Sequence, residues 1–210
     1  MKSELVVIYR KLYARFGPQR WWPAETPFEV MVGAILTQNT NWGNVEKAIR
    51  NIKENKALTL SGLRGLSPAM MASLIRPAGY YNIKARRLKN FIDFFVKEYQ
   101  GNIRRTLSVD TRLLREQLLS VNGIGPETAD SILLYALGRP VFVVDAYTKR
   151  ILSRHGMAGP NDDYASVQNL FMRNLEPNAR LFNEYHALLV RVGKEFCLKN
   201  KPRCEECPLK

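Results

Sequence analysis

The chain has 210 residues, 46% of them hydrophobic, and carries 32 Lys and Arg against 19 Asp and Glu, a formal charge of +13. That composition excludes a disordered chain and leaves length for one large domain or two small ones with real cores. No apolar run approaches the roughly 18 residues of a membrane helix, and the opening MKSELVVIYRKLY has too short an apolar segment, and no small-residue cleavage site, for a signal peptide.

Helix punctuation is dense along the chain. Thr26-Pro27-Phe28-Glu29 reads as a capping box with proline at the first helical position, followed by Phe28, Met31, Val32, Ile35 and Leu36 at helical spacing. Ser67-Pro68 opens a second helix in the same way. A third is predicted to bury Ile83, Leu88, Phe91, Phe94 and Phe95, and a fourth Leu113, Leu114 and Leu118. Pro126 to Leu137 forms a fifth, stopped by Gly138 and Pro140, and Asp145 to His155 a sixth, stopped by Gly156. Tyr164 to Leu175 and Asn178 to Val192 add two more. Val141 to Val144 is apolar but too short to support a sheet. The fold class expected is all-α, with about ten helices and short loops, and no internal repeat.

Basic residues recur at Lys84, Arg86, Arg87, Lys89, Arg104, Arg105, Lys149, Arg150 and Arg154. A polyanionic partner explains that better than solubility does, because phosphate neutralisation dominates nucleic-acid affinity. Charge alone does not separate DNA from RNA or from an anionic membrane surface. The three cysteines, Cys197, Cys204 and Cys207, all lie in the tail. Their placement argues for a reducing, cytoplasmic compartment and a local ligand cluster rather than a disulfide framework.

The most informative segment is Leu119-Ser120-Val121-Asn122-Gly123-Ile124-Gly125-Pro126-Glu127-Thr128-Ala129-Asp130. It leaves one helix and opens another. Gly-Ile-Gly permits a tight hairpin that a Cβ would obstruct, and the N–H groups of that turn and of the next helix's first turn then face outward, where a phosphate oxygen can be accepted. Glu127, Thr128 and Ile124 share that backbone-binding turn. Asp145 follows four apolar residues and opens a helix. Its plain role is an N-cap, and a capping carboxylate stays ionised because the helix N-terminus stabilises it. Glycosidic cleavage of a nucleotide builds positive charge on the sugar, so a fixed carboxylate there stabilises that charge and orients or deprotonates an attacking water.

A hairpin of this kind, then Gly and Pro, an apolar run and Asp, resembles the endonuclease III superfamily of DNA glycosylases, over most of the chain. The segment from Phe28-Glu29 to Ala48 resembles its early helix and wedge loop, and Gly79-Tyr80-Tyr81-Asn82-Ile83-Lys84-Ala85 its Gly-Tyr-Asn-x-Lys-Ala segment. The resemblance implies two helical domains, 28–137 and 1–27 plus 138–210, with the active site in the cleft between them. Double-stranded DNA containing a damaged base is the implied partner, in the nucleoid, and a monomer with no membrane association is expected. Gln38 and Asn39 are implied at the opened duplex, Lys84 and Lys149 at DNA, and a monovalent cation at the hairpin.

Bifunctional members of that superfamily place a Schiff-base lysine where this chain has Glu127, and a carboxylate forms no imine. The implied enzyme is therefore monofunctional, with Asp145 catalytic and no strand-cutting step. Trp21-Trp22-Pro23 and Leu36-Thr37-Gln38-Asn39-Thr40-Asn41-Trp42 resemble the 3-methyladenine DNA glycosylase III branch. By that match Trp21, Trp22 and Trp42 form or border the base pocket; a cationic alkylated purine stacks well between such rings. A uracil or thymine mismatch glycosylase, a non-catalytic lesion-sensing protein and an RNA-binding helical protein are the alternatives. The C-x6-C-x2-C spacing resembles that superfamily's 4Fe–4S loop, whose fourth cysteine would fall at position 213, beyond Lys210; zinc held by three Cys and a His is the other ligand reading. His155 is expected to complement a helix C-terminus, and His186, within a helix, to pack or to lie at the surface.

Overall fold

The structure, a computed structural model, describes residues 1–19 and 21–210. Eleven α-helices are present among the described residues, and no strand. They are α1 (Lys2–Phe16), α2 (Pro27–Leu36), α3 (Trp42–Glu54), α4 (Leu60–Gly65), α5 (Pro68–Leu74), α6 (Tyr81–Tyr99), α7 (Thr111–Leu119), α8 (Pro126–Ser131), α9 (Ala146–Arg154), α10 (Tyr164–Asn174) and α11 (Ala179–Glu195). No helix is long and apolar enough to cross a membrane. The chain divides into two units, Ala24–Leu137 and Met1–Pro23 with Gly138–Lys210.

In the Ala24–Leu137 unit, α2 is the central helix. Every residue from Phe28 to Leu36 is buried, and the helix packs against α3, α6 and α8. Thr26 Oγ1 accepts from Glu29 N at 3.1 Å, as the capping box predicts, but the Glu29 carboxylate takes Glu25 N (3.1 Å) and Lys53 Nζ (3.0 Å) rather than the cap residue's own N–H. Ser67 caps α5 through Met70 N. On α6 the buried face is Lys84, Ala85, Leu88, Phe91, Ile92, Phe95 and Tyr99, so Ile83, expected inside, is 41% exposed. It sits one residue outside the stripe that the 3.6-residue repeat turns inward. Leu113 is likewise 50% exposed, because α7 turns only Leu114 and Leu118, four apart, inward. The fifth predicted helix is present as α8 continued by a π-helical stretch, Ile132–Ala136.

In the other unit, α11 packs on α9 and on α1. The apolar run Val141–Val144 is buried beneath them as extended chain, with Phe142 stacked on Phe171 at 3.7 Å and edge-on to Phe182 and Tyr185. Aromatic burial on this scale dominates core energetics. Gly193 is where α11 meets α9: a Cβ there would lie 2.4 Å from the Tyr147 ring. Arg150 of α9 stacks on that same ring and donates to Gly193 O and Cys197 O, satisfying carbonyls at the end of α11 that no helical N–H reaches.

Candidate functional site

The hairpin between α7 and α8 is held from three sides within its unit. Arg115 of α7 grips Asp130 of α8 by two parallel hydrogen bonds, Nε to Oδ1 at 2.6 Å and Nη2 to Oδ2 at 3.0 Å, with Asp130 fully buried. Such a fork is the strong form of an ion pair, and it fixes the two helices that flank the turn. Gln38 Nε2 donates to Gly123 O (3.0 Å) and Thr128 Oγ1 (2.9 Å), while its Oε1 accepts from Arg87. Asn90 Nδ2 takes Asn122 O at 3.1 Å. The carbonyls of Asn122 and Gly123 are thus spent on side chains, whereas among the described residues the N–H groups of Gly123 and Gly125 meet no acceptor. A groove of about 470 Å³ runs beside the turn, with Arg86, Arg87 and Lys89 along it.

The two glycines differ. Gly123 has φ +96°, and a Cβ there would sit 2.3 Å from Arg87 Cγ. Gly125 has an ordinary φ of −95°, and nothing of the protein lies within 4 Å of a Cβ built on it. The expectation that a Cβ obstructs the turn holds at Gly123 and not at Gly125. Ile124 is buried beneath the turn, and Glu127 is exposed in the first turn of α8.

Asp145 caps α9: Oδ1 accepts from Thr148 N at 2.7 Å and from Thr148 Oγ1 at 2.9 Å. Oδ2 faces His186 Nε2 of α11 at 3.6 Å. Both side chains are largely buried, 13% and 6% exposed. Burial pushes the Asp145 carboxyl up, but the neighbouring His186 and the two bonds from Thr148 outweigh it and hold the group below the usual carboxylate range. His186, expected to pack or to lie at the surface, is the partner that sequence reasoning missed. The signal was present: on α11, Phe182, Tyr185, His186 and Leu189 recur at spacings of three and four and so share one buried face.

Trp21 stands edge-on to the His186 ring at 6.2 Å, with Lys194 Nζ 5.9 Å from its own ring, and its buried indole N–H meets no acceptor among the described residues. Trp22 holds φ at +67°, an unusual backbone for a bulky residue. Trp42 belongs to the other unit, where its indole N–H donates to Glu46 at 2.9 Å. Asn39 is exposed at the turn after α2 with φ +53°. Gln38 beside it has both ends of its amide engaged at the hairpin. Lys149 lies on α9 and donates to Asp162 O.

Lys84 corrects an expectation. Its side chain is 1% exposed, with Nζ donating to Leu36 O at 2.9 Å and Ala78 O at 2.7 Å, so it pins the end of α2 to the turn before α6 rather than reaching DNA. Burial, and then the charge of Arg87, bring its amine down to about 8.

In the tail, Cys197 is buried, Cys207 half-buried and Cys204 exposed. Arg154 donates to Cys197 Sγ at 3.3 Å and also takes Leu198 O and Lys199 O. Burial pushes the Cys207 thiol up, and the neighbouring Cys197 and Cys204 add to the shift. Among the described residues no group of three or more His, Cys, Asp or Glu side chains is arranged to hold a metal ion.

Residues 32–177 match the model of the HhH-GPD superfamily base excision DNA repair protein family. A Methanocaldococcus jannaschii protein, named as a candidate DNA repair glycosylase, is 50% identical over all of this chain and 96% of its own length. The structure of the H. pylori 3-methyladenine DNA glycosylase bound to 1,N6-ethenoadenine is similar at a TM-score of 0.78 and 29% identity, covering 91% of this chain and 97% of that one. A trapped endonuclease III–DNA covalent intermediate, at a TM-score of 0.85 and 22% identity over all of this chain and 93% of that one, shows the likeness of fold. The chain belongs to the HhH-GPD superfamily of base-excision DNA repair proteins and is a DNA glycosylase of that type.

Proposed function

We propose that this glycosylase is monofunctional and excises alkylated purines of the 3-methyladenine type, with Asp145 as the catalytic residue and water as the nucleophile. The observation that carries the reading is a carboxylate fixed by two hydrogen bonds and kept below its usual range despite burial. A carboxylate held this way stabilises the positive charge that grows on the sugar as the base leaves. An alkylated purine already carries its leaving-group charge and asks for little acid catalysis. Glu127 occupies the post-hairpin position, Lys84 Nζ is spent on two carbonyls, and Lys149 Nζ donates to Asp162 O.

The buried, unsatisfied indole of Trp21 and the strained backbone of Trp22 support a base pocket there, since strain of this kind persists where a site demands it. Gln38 and Asn39, in the turn after α2, are assigned to the duplex gap, and Asn39 is the exposed one of the two. The open N–H groups of Gly123 and Gly125 suit a phosphate oxygen, and the basic groove beside them a DNA strand. The C-x6-C-x2-C spacing supports a 4Fe–4S cluster with a structural role in the tail, and no step of the reaction is routed through it.

Incubating the enzyme with borohydride and duplex DNA bearing an alkylated purine tests the monofunctional claim. No protein–DNA adduct is expected while base is released. A trapped adduct contradicts it, because only an imine between a protein amine and the sugar is reduced to a stable bond.

A further inference from the structure

His186 does more than fill the core. It lies on the face of α11 that carries Phe182, Tyr185 and Leu189, surrounded by aromatic rings, with Phe142 at 6.5 Å and Trp21 at 6.2 Å. An imidazole placed in such surroundings is costly unless a polar group answers it. It faces Asp145 through Oδ2. Thr148 takes Oδ1 twice, so Oδ2 is the oxygen left to address a reacting sugar or water, and it is Oδ2 that lies 3.6 Å from His186 Nε2.

We propose that His186 is the positioning residue of the catalytic carboxylate: with its proton on Nε2 it faces Oδ2, stops the carboxylate turning about its Cβ–Cγ bond, and aims that oxygen at the anomeric carbon. This rests on the reading of Asp145 as catalytic. A carboxylate oxygen is acceptor-only, so the Nε2–H tautomer is the one that fits. At 3.6 Å the pair is looser than a made hydrogen bond, and contacts of this kind tighten when substrate excludes water. The depressed Asp145 carboxyl agrees, since His186 is the titratable group that lowers it.

Tyr185 donates its hydroxyl to Leu5 O, Lys149 donates to Asp162 O, and the Lys194 ammonium lies over Trp21. The Tyr164 hydroxyl lies at Val144 N.

Two variants separate positioning from packing. His186→Phe keeps a ring in the aromatic cluster and removes the donor; His186→Gln keeps a donor near the Nε2 position and loses the ring. Single-turnover base release from methylated duplex is measured against pH for both. The carbon-13 shift of the Asp145 carboxyl, assigned by its loss in Asp145→Asn, is titrated in the same proteins. In His186→Phe we expect release to fall about 10- to 100-fold, the size of effect that misplacing a reacting group produces. Its acid limb and carboxyl transition should both move to higher pH. His186→Gln is expected to fall between Phe and wild type on every readout.

A folded Phe variant whose acid limb and carboxyl transition coincide with wild type overturns the proposal. If the Phe variant does not fold, a Gln variant with less release than a donor-free background such as His186→Leu overturns it instead. Should wild-type protein release no base from any duplex, the glycosylase chemistry fails separately, and the carboxyl titration alone decides whether His186 acts on Asp145.

Discussion

Asp145→Asn is expected to bind duplex DNA as the wild type does and to release base about a thousandfold more slowly, the scale of loss when a preorganised electrostatic partner is removed from a site. The substitution is informative because it leaves the fold alone. Asparagine caps helices as well as aspartate does, and its Oδ1 can still accept from Thr148 N and Oγ1. What disappears is the negative charge on the oxygen facing His186. Because the folded carboxyl is held below its ordinary value, the ionised form contributes stability above the unfolded value, lost only as pH falls through the lower folded one. Wild-type release should therefore persist down through the pH range in which an ordinary aspartate protonates. Release by Asp145→Asn at the wild-type rate would sink the assignment of the carboxylate.

The two hairpin glycines should respond to alanine in opposite ways. Gly123→Ala must adopt a positive φ and push against Arg87 Cγ, whose guanidinium is tied to Gln38. A loss of about 1–3 kcal/mol in folding stability is expected, with weaker DNA binding, because both the strain and the displaced Arg87 reach the turn. Gly125→Ala meets no protein atom and has an ordinary φ, so its stability should change by no more than about 0.5 kcal/mol. Yet it should still lose DNA affinity, since the new methyl group stands where a phosphate approaches the open N–H groups. Chemical denaturation and a DNA titration on the same samples check the pair. Equal stability losses at the two positions would contradict this geometry.

What was legible in the sequence was local. Thr26 and Ser67 cap the helices they were expected to cap, Asp145 opens α9, and the Gly-Ile-Gly turn joins α7 to α8, because capping and turn chemistry is written within a few residues. What stayed hidden depends on residues far apart in the chain. Lys84 is buried because the carbonyls of Leu36 and Ala78 converge on it, and no spacing rule brings those two together. Arg115 and Asp130 clamp the hairpin across fifteen positions, and Gln38 reaches Gly123 across 85. Ile83 and Leu113 were placed inside because an apolar residue beside an amphipathic stripe looks like part of it. His186 lay on a readable buried face, but a lone histidine gives no sign of the carboxylate 41 residues earlier in the chain that it meets.

The most direct test of the account is to incubate the protein with methylated duplex DNA in excess and identify the free base by chromatography. Release of 3-methyladenine or 7-methylguanine beyond one equivalent of protein is the predicted result, and it joins turnover to a pocket that favours a cationic purine. Intact methylated bases, with release only from uracil- or thymine-mismatched duplexes, would contradict the substrate assigned here.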